Sequence, residues 1–293
     1  RIIEVTLKYV EELCGKVPGI KESVENLLED AIRSCSLIYG IREALEWGRD
    51  FHWPDEVLIR DRRLAETVQY DLEKMVQEHH KQREKYRLSV ERITELVPVT
   101  DPDYSRILDL AGGMRVFTAD TFMTNTTPPP LRKLYLQVSC AVNKILLESW
   151  KEELVFILPL NVAARHFQLH YSPVHWTTKV GKKCGRNLFD SSDDSKGPCL
   201  NSEEARLMLE EYYGAIEHPT INEVAIMIHN RVQATPESPE LILWKADLKG
   251  AFTLLNFRPE HVKYLACLLT DDLVLIYHTG LFGWTGTPYA FQV

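Results

Sequence analysis

The sequence predicts an α+β protein in which a helical N-terminal unit, residues 1–130, precedes a mixed α/β unit, residues 131–293. Three observations carry this expectation. Apolar residues recur at helical spacing over most of the first 98 positions. Three consecutive prolines at 128–130 interrupt the chain, and from Leu154 onward short apolar runs alternate with helical patterns. At 293 residues the chain exceeds most single cores, which fits two structural units.

In the first unit Val24, Leu27, Leu28, Ala31, Ile32 and Cys35 share a helical stripe, with Pro18-Gly19 breaking the chain before them. A second pattern runs from Leu58 through Ala65, Val68, Leu72, Met75 and Val76. It fades across His79 to Lys85, which reads as a solvated face or a bend, and returns at Val90, Ile93 and Val97. The seam is too short for a coiled coil, so these helices are expected to pack on one another. Pro98 to Pro102 is one candidate linker. Thr124 to Pro130 is a second, since its prolines forbid helix and favour extended polyproline geometry.

Leu131 to Glu153 then reads as a helix with Leu134, Val138, Ala141, Val142, Ile145 and Leu146 on one side, and Leu154 to Leu158 as a buried strand. From Ser172 the texture changes to short strands and turns. Val174 to Val180 and Asn187 to Phe189 are strand candidates, the latter ended by an acidic turn, Asp190 to Asp194. Glu203 to Tyr213 is a helix that Ser202 can cap, with Glu203 and Glu204 near the positive end of its dipole. Pro219 opens a further helix through Val224, Met227 and Ile228. Leu241 to Trp244 is a strand leading into Asp247, Gly250 is a break, Leu273 to Tyr277 is β-rich, and Gly280 to Pro288 is a glycine-rich turn.

Composition narrows the function classes. Apolar residues at 45% and charged residues at 26% are ordinary for a folded protein. No run of about 18 apolar residues occurs, so no membrane partner is expected. Six scattered cysteines without a CxxC pair suggest reduced thiols and an intracellular setting, cytoplasm or nucleus. The net charge of −8 means that any nucleic-acid role rests on a local basic patch. Arg1 in place of an initiator methionine, and the arrest at Val293, lead us to expect that both ends continue in a longer polypeptide.

Several segments can carry chemistry. In Trp244-Lys245-Ala246-Asp247-Leu248-Lys249-Gly250-Ala251-Phe252 a carboxylate follows an apolar strand, a position suited to holding Mg²⁺ for two-metal nucleotidyl transfer; equally, Asp247 can simply cap a helix. Lys179, Lys182, Lys183 and Arg186, with Gly181 and Gly185 interleaved and no acid among them, suit a hairpin closing on a polyphosphate, or else a solvated loop tip. Gly283 to Pro288 lacks the Lys of a phosphate loop, so it is either an ordinary turn or a loop that admits a nucleic-acid backbone. His166 and His170 have the spacing of the HExxH zinc motif, but Phe167 occupies the place of its Glu, and neither His175 nor Cys184 completes a zinc pattern.

In this order and spacing the segments resemble the reverse transcriptase family, most closely the retrotransposon type. Pro173 to Lys179 with Gly181 to Asp190 resembles its fingers hairpin, Leu200-Asn201 the pair that follows, and His218-Pro219-Thr220-Ile221 the entry to the next helix. Ala246 to Phe252 resembles the first palm motif, and Leu281 to Phe291 the later Phe-Gly-x-x-x-x-Pro-x-x-Phe motif. The likeness covers about 120 residues and implies an incomplete fingers and palm unit of a right-hand polymerase over 131–293. By position it implies that Asp247 and the Leu248 carbonyl bind Mg²⁺ or Mn²⁺. The Ala251 N–H, Lys182, Lys183 and Arg186 would hold the triphosphate. Phe252 would exclude a ribose 2′-hydroxyl, and Phe282 and Gly283 would line the pocket beside base and template. The implied partners are an RNA or DNA template with primer, a dNTP, and the remainder of a Pol-type polyprotein of a transposable element.

The family's Tyr-x-Asp-Asp carboxylates have no counterpart here. Asp271-Asp272 follows Thr270, precedes the glycine-rich motif, and reads as a turn between strands. The alternative to a polymerase fragment is a domesticated or decayed remnant, a non-catalytic module for nucleic-acid or protein interaction. Residues 1–293 alone are expected to give no primer extension with Mg²⁺ or Mn²⁺; extension above background would refute this.

Overall fold

The structure, a computed structural model, describes residues 41–46, 49, 51–82, 89–118, 122, 126–177, 186–189, 199–217, 220–234 and 250–293, with backbone alone at 134 and 186–189. Mixed α+β architecture is what it shows, many helices about a small three-stranded antiparallel sheet. The stripe Val24 to Cys35, the acidic turn at 190–194, Pro219 and the strand expected at Leu241–Trp244 lie outside the described residues.

The chain divides into two compact units. Unit 1 comprises residues 1–52, 132–147 and 175–187; unit 2 comprises 53–131, 148–174 and 188–293. These contacts do not divide at the expected 130/131 boundary. The helices of residues 53–111 were expected to pack on one another; those of 90–111 do, whereas those of 55–82 take their main partners from the sheet region of the C-terminal half.

In unit 2, helices α1 (Asp55–Thr67) and α2 (Leu72–Gln82) are separated by Gln69 and Tyr70, both at φ 58°, so the single apolar pattern of the sequence becomes two helices. Two short helices, α3 (Val90–Leu96) and α4 (Tyr104–Ala111), follow, with the Pro98–Pro102 segment as the turn between them. Buried Met75, Val76, His79 and His80 continue one stripe along α2. This corrects the solvated reading of His79 and His80. Their rings belong to the core because they extend that stripe, and His79 meets Phe156 with ring centroids 4.5 Å apart.

The helix expected over Leu131–Glu153 is α5 (Lys133–Lys151), interrupted by non-helical geometry at Val138. Its first part belongs to unit 1, where Val138, Ala141, Val142 and Leu146 are buried and the Tyr135 hydroxyl donates to Asn143 Oδ1 at 2.9 Å. Strand β1 (Val155–Pro159) and the short helix α6 (Leu160–His166) return to unit 2. Strands β2 (Val174–Thr177) and β3 (Arg186–Phe189) pair as a two-stranded sheet.

Helix α7 (Glu203–Tyr213) begins where the sequence places it, and the Ser202 side chain accepts from the Ala205 N–H. Helix α8 (Ile221–Ala234) follows, and then two 3-10 turns, Ala251–Leu254 and Pro259–Tyr264. Strands β4 (Ala266–Thr270) and β5 (Leu273–Tyr277) flank the Asp271-Asp272 turn, and the sheet order is β1-β5-β4. Every residue of β5 is buried, as its unbroken apolar run requires of a central strand. The glycine-rich segment is a turn only as far as Thr285; Gly286–Gln292 is helix α9, which tolerates Pro288 because the first turn of a helix needs no N–H donor.

One polar contact ties α1 to β1. Asp61 is fully buried and accepts from Trp150 Nε1 at 2.9 Å, the Ile157 N–H at 2.8 Å and Arg60 Nε at 2.7 Å. Asp61→Ala leaves two buried donors unpaired and is expected to lower stability by roughly 2–5 kcal/mol. Urea denaturation checks this, and a loss below about 1 kcal/mol would show that the carboxylate is replaceable.

Candidate functional site

Two segments far apart in sequence meet in unit 2. The first is the turn at 250–255. Gly250 takes a left-handed conformation, φ 66°, and its carbonyl accepts from both the Thr253 N–H (2.9 Å) and Thr253 Oγ1 (2.7 Å). This closes the 3-10 turn that presents Ala251 and Phe252, both half-buried. The Leu255 N–H donates to the Phe252 carbonyl at 3.1 Å, and the Leu255 carbonyl accepts from the Gly280 N–H at 2.8 Å.

The second segment continues from β5. Thr279 is buried and its hydroxyl donates to the Leu154 carbonyl at 3.1 Å, anchoring the exit of the strand. Leu281 turns inward, while Phe282 is 40% exposed. Gly283 adopts φ 102°, a conformation that favours glycine. Trp284 is buried 5.0 Å from the Phe257 ring, so the loop is pinned on both sides of its exposed tip. Asn201 pins it again: its Nδ2 donates to the Gly283 carbonyl at 2.7 Å and its Oδ1 accepts from the Thr285 N–H at 2.8 Å.

The result is an aromatic cluster. The Phe252 ring lies 5.1 Å from Phe282 and 5.8 Å from Phe291, centroid to centroid. Of the residues singled out in the sequence, Ala251, Phe252, Phe282 and Gly283 are thus brought together. Asp247, Leu248, Lys182 and Lys183 lie outside the described residues, and only the backbone of Arg186 is described, as the first residue of β3. Sequence reasoning missed the bridging function of Asn201 and the ring contact of Phe291, because neither spacing nor residue type signals which loop a side chain will reach.

It also missed a charged cluster in the same unit. Asp109 Oδ1 accepts from Arg115 (2.8 Å) and Arg258 (2.5 Å), and Oδ2 accepts from Arg115 Nε (3.1 Å) and the Tyr212 hydroxyl (2.5 Å). Burial opposes the carboxylate charge, but the Arg115 and Tyr212 hydrogen bonds and the nearby cations together hold its pKa below the ordinary range. The cluster joins α4, α7 and the 257–258 segment, and its four groups satisfy one another.

Among the described residues no group of three or more His, Cys, Asp or Glu stands where it can hold a metal. His166 stacks on Tyr70 at 3.7 Å, and His170 is buried beside Phe122, 5.0 Å between rings. No helix among the described residues is long and apolar enough to cross a membrane. The chain matches no protein-family model and no curated protein.

Two histidines make unit 2 sensitive to acid. Burial pushes the His170 pKa down to about 4. Burial also lowers that of His261, whose Nδ1 accepts from the Val116 N–H at 3.0 Å and is therefore unprotonated in the fold. Both pKa values are depressed, and protons bind the unfolded chain first, near pH 6.5. Stability is therefore complete above pH 6.5 and declines as pH falls toward 4. His170 alone should account for about 2 kcal/mol between pH 7.5 and pH 5. Urea unfolding of the parent and of His170→Gln at these two pH values checks this; equal pH slopes would exclude His170 as a source.

Proposed function

We propose that this chain is the fingers and early palm of an RNA-directed DNA polymerase of a mobile element, built on the right-hand polymerase plan. One observation carries the reading. Phe252 and Phe282, thirty residues apart and each assigned to a nucleotide pocket by the family likeness, meet at 5.1 Å on an accessible face held by Gly250, Gly283 and Asn201. The pairing of β2 with β3 supports it, since these strands flank the basic segment 178–185.

In this reading a template-primer and a dNTP meet at the Phe252–Phe282 face. The Ala251 N–H serves the triphosphate, because the turn's own hydrogen bonds begin only at the Thr253 N–H. The family likeness also assigns Lys182, Lys183 and Arg186 to the triphosphate, and gives Phe252 the role of excluding a ribose 2′-hydroxyl. Asp247 and the Leu248 carbonyl are hard oxygen donors, the chemistry that Mg²⁺ or Mn²⁺ takes. Such an ion, held by Asp247 and the Leu248 carbonyl, would supply charge neutralisation for the phosphates. The setting is intracellular, cytoplasm or nucleus, within a Pol-type polyprotein.

A second reading, a non-catalytic interaction module, is favoured by α8. None of its residues is buried among the described residues, and Ile221, Ile226, Met227 and Val232 are all exposed.

In a polypeptide that carries the complete polymerase, Asp247→Asn is expected to abolish primer extension, a loss of 10³-fold or more being on the order of what electrostatic catalysis supplies. Phe252→Val is expected to admit ribonucleotides. Extension assays with dNTP and rNTP check both. Near-normal incorporation by Asp247→Asn removes that residue from catalysis, and a parent protein that binds nucleic acid without extending any primer favours the interaction module.

A further inference from the structure

We infer that Gly280 and Phe291 are positioning residues that together hold Phe252, one beneath its backbone and the other against its ring, and so set the sugar selectivity of the site. The inference rests on the proposed reading of Phe252 as the residue that screens the sugar.

Gly280 lies directly under the turn that carries Phe252. Its N–H donates to the Leu255 carbonyl at 2.8 Å. A Cβ at this position would run into the Phe252 carbonyl oxygen, well inside contact distance, and would stand 3.0 Å from the Phe252 carbonyl carbon and 3.0 Å from Thr287 Cγ2. The obstacle on the Phe252 side is backbone rather than the tip of a flexible side chain. The glycine is required by close approach of two segments, and admitting a methyl group moves the 251–255 turn by something on the order of 1 Å. The Phe252 ring is held from other segments. Its ring neighbours are Phe282, at 5.1 Å on the exposed loop, and Phe291, at 5.8 Å in an edge-to-face arrangement from α9. Of the two, Phe291 comes from a regular element, and α9 packs against both the 251–254 turn and α7. The backbone height of Phe252 is thus set from β5, and its ring angle from α9.

A gate works by clearance. Displacement of about 1 Å at a reacting centre changes rates by up to about 100-fold, so either residue can alter sugar choice without touching substrate. The test measures the ratio of ribonucleotide to deoxynucleotide incorporation in a polypeptide that carries the complete polymerase. The parent, Gly280→Ala, Phe291→Leu and Phe291→Tyr are compared, each alone and with Phe252→Val. Gly280→Ala and Phe291→Leu are expected to raise the ratio about tenfold. Phe291→Tyr, which keeps the ring, should match the parent. With Phe252→Val present, neither substitution should raise the ratio further, since each acts through the Phe252 side chain.

Circular dichroism and the unfolding midpoint establish that each variant is folded. Should Gly280→Ala not fold, Phe291→Leu carries the test at a residue 39% exposed. An unchanged ratio in folded variants, or full effects persisting beside Phe252→Val, overturns the inference while leaving the polymerase reading intact. A Phe252→Val protein with parental sugar choice removes the gate itself, and the inference falls with it.

Discussion

Burial of β5 on both faces is the constraint from which the arrangement of the sheet and its neighbours follows. Leu273 to Tyr277 pair with β1 on one side, in the register Val155↔Tyr277 to Pro159↔Leu273, and with β4 on the other. Fully burying an aliphatic side chain is worth about 1.5–3 kcal/mol, so four in succession, followed by buried Tyr277, leave the strand no stable place but the centre. That choice determines where the chain emerges. His278, Thr279 and Gly280 leave the sheet still buried, and the first exposed ring after them is Phe282. The candidate site is therefore a property of a strand end. The 3-10 turn carrying Phe252 reaches it through the Gly280–Leu255 hydrogen bond and the bridge between Asn256 and Thr279.

The helices on this sheet are oriented by polar contacts as much as by apolar ones. Asp61 occupies the buried stripe of α1 between Val57 and Ala65, a place the helical period reserves for an apolar residue. Desolvation raises its pKa, and Arg60 with three donated hydrogen bonds opposes that shift. Arg60 lies 3.7 Å above the Trp150 ring, so the pair clasps the end of α5 while the carboxylate reads the backbone of β1. Replacing such a group by an apolar one of the same shape is often harmless, whereas removing only one partner is not. The contribution of Asp61 is accordingly one of register: a single buried acceptor admits one alignment of α1 on the strand. Asp109 serves similarly at the surface, joining α4 to the Arg258 and Tyr212 segments.

Features governed by local sequence are legible in the sequence itself. The Ser202 cap, the limits of α7, the β5 run and the Asp271-Asp272 turn all follow from spacing and residue type within a few positions. Features set by distant partners are not. His79 and His80 looked solvated because the sequence shows polarity but not that Phe156 waits opposite. The first helices looked self-sufficient because the strand that α1 covers lies about ninety positions later. Helix α9 was hidden by glycine and proline, whose usual turn meaning fails in a first helical turn. Even so, Phe252, Phe282 and Gly283 were chosen from motif order and meet in space, while Asn201, Gly280 and Phe291 stood in the quoted segments without any sign that they hold these residues.

Net charge bears on the proposal of a nucleotide site, and its range decides how far. At physiological ionic strength charges are screened beyond about 8 Å, so the balance of −8 over the whole chain does not govern the field at any one place. What governs it is the composition of the nearest segment. From Val174 to Phe189 the sequence holds four cations, Lys179, Lys182, Lys183 and Arg186, and no carboxylate. The acids fall outside this window, first at Asp190, Asp193 and Asp194 directly after it, and then at Glu203, Glu204, Glu210 and Glu211 of α7, where the first pair complements the helix dipole and Glu210 pairs with Arg206. A chain that separates its charges in this way can be acidic overall and still offer a polyphosphate a locally positive segment.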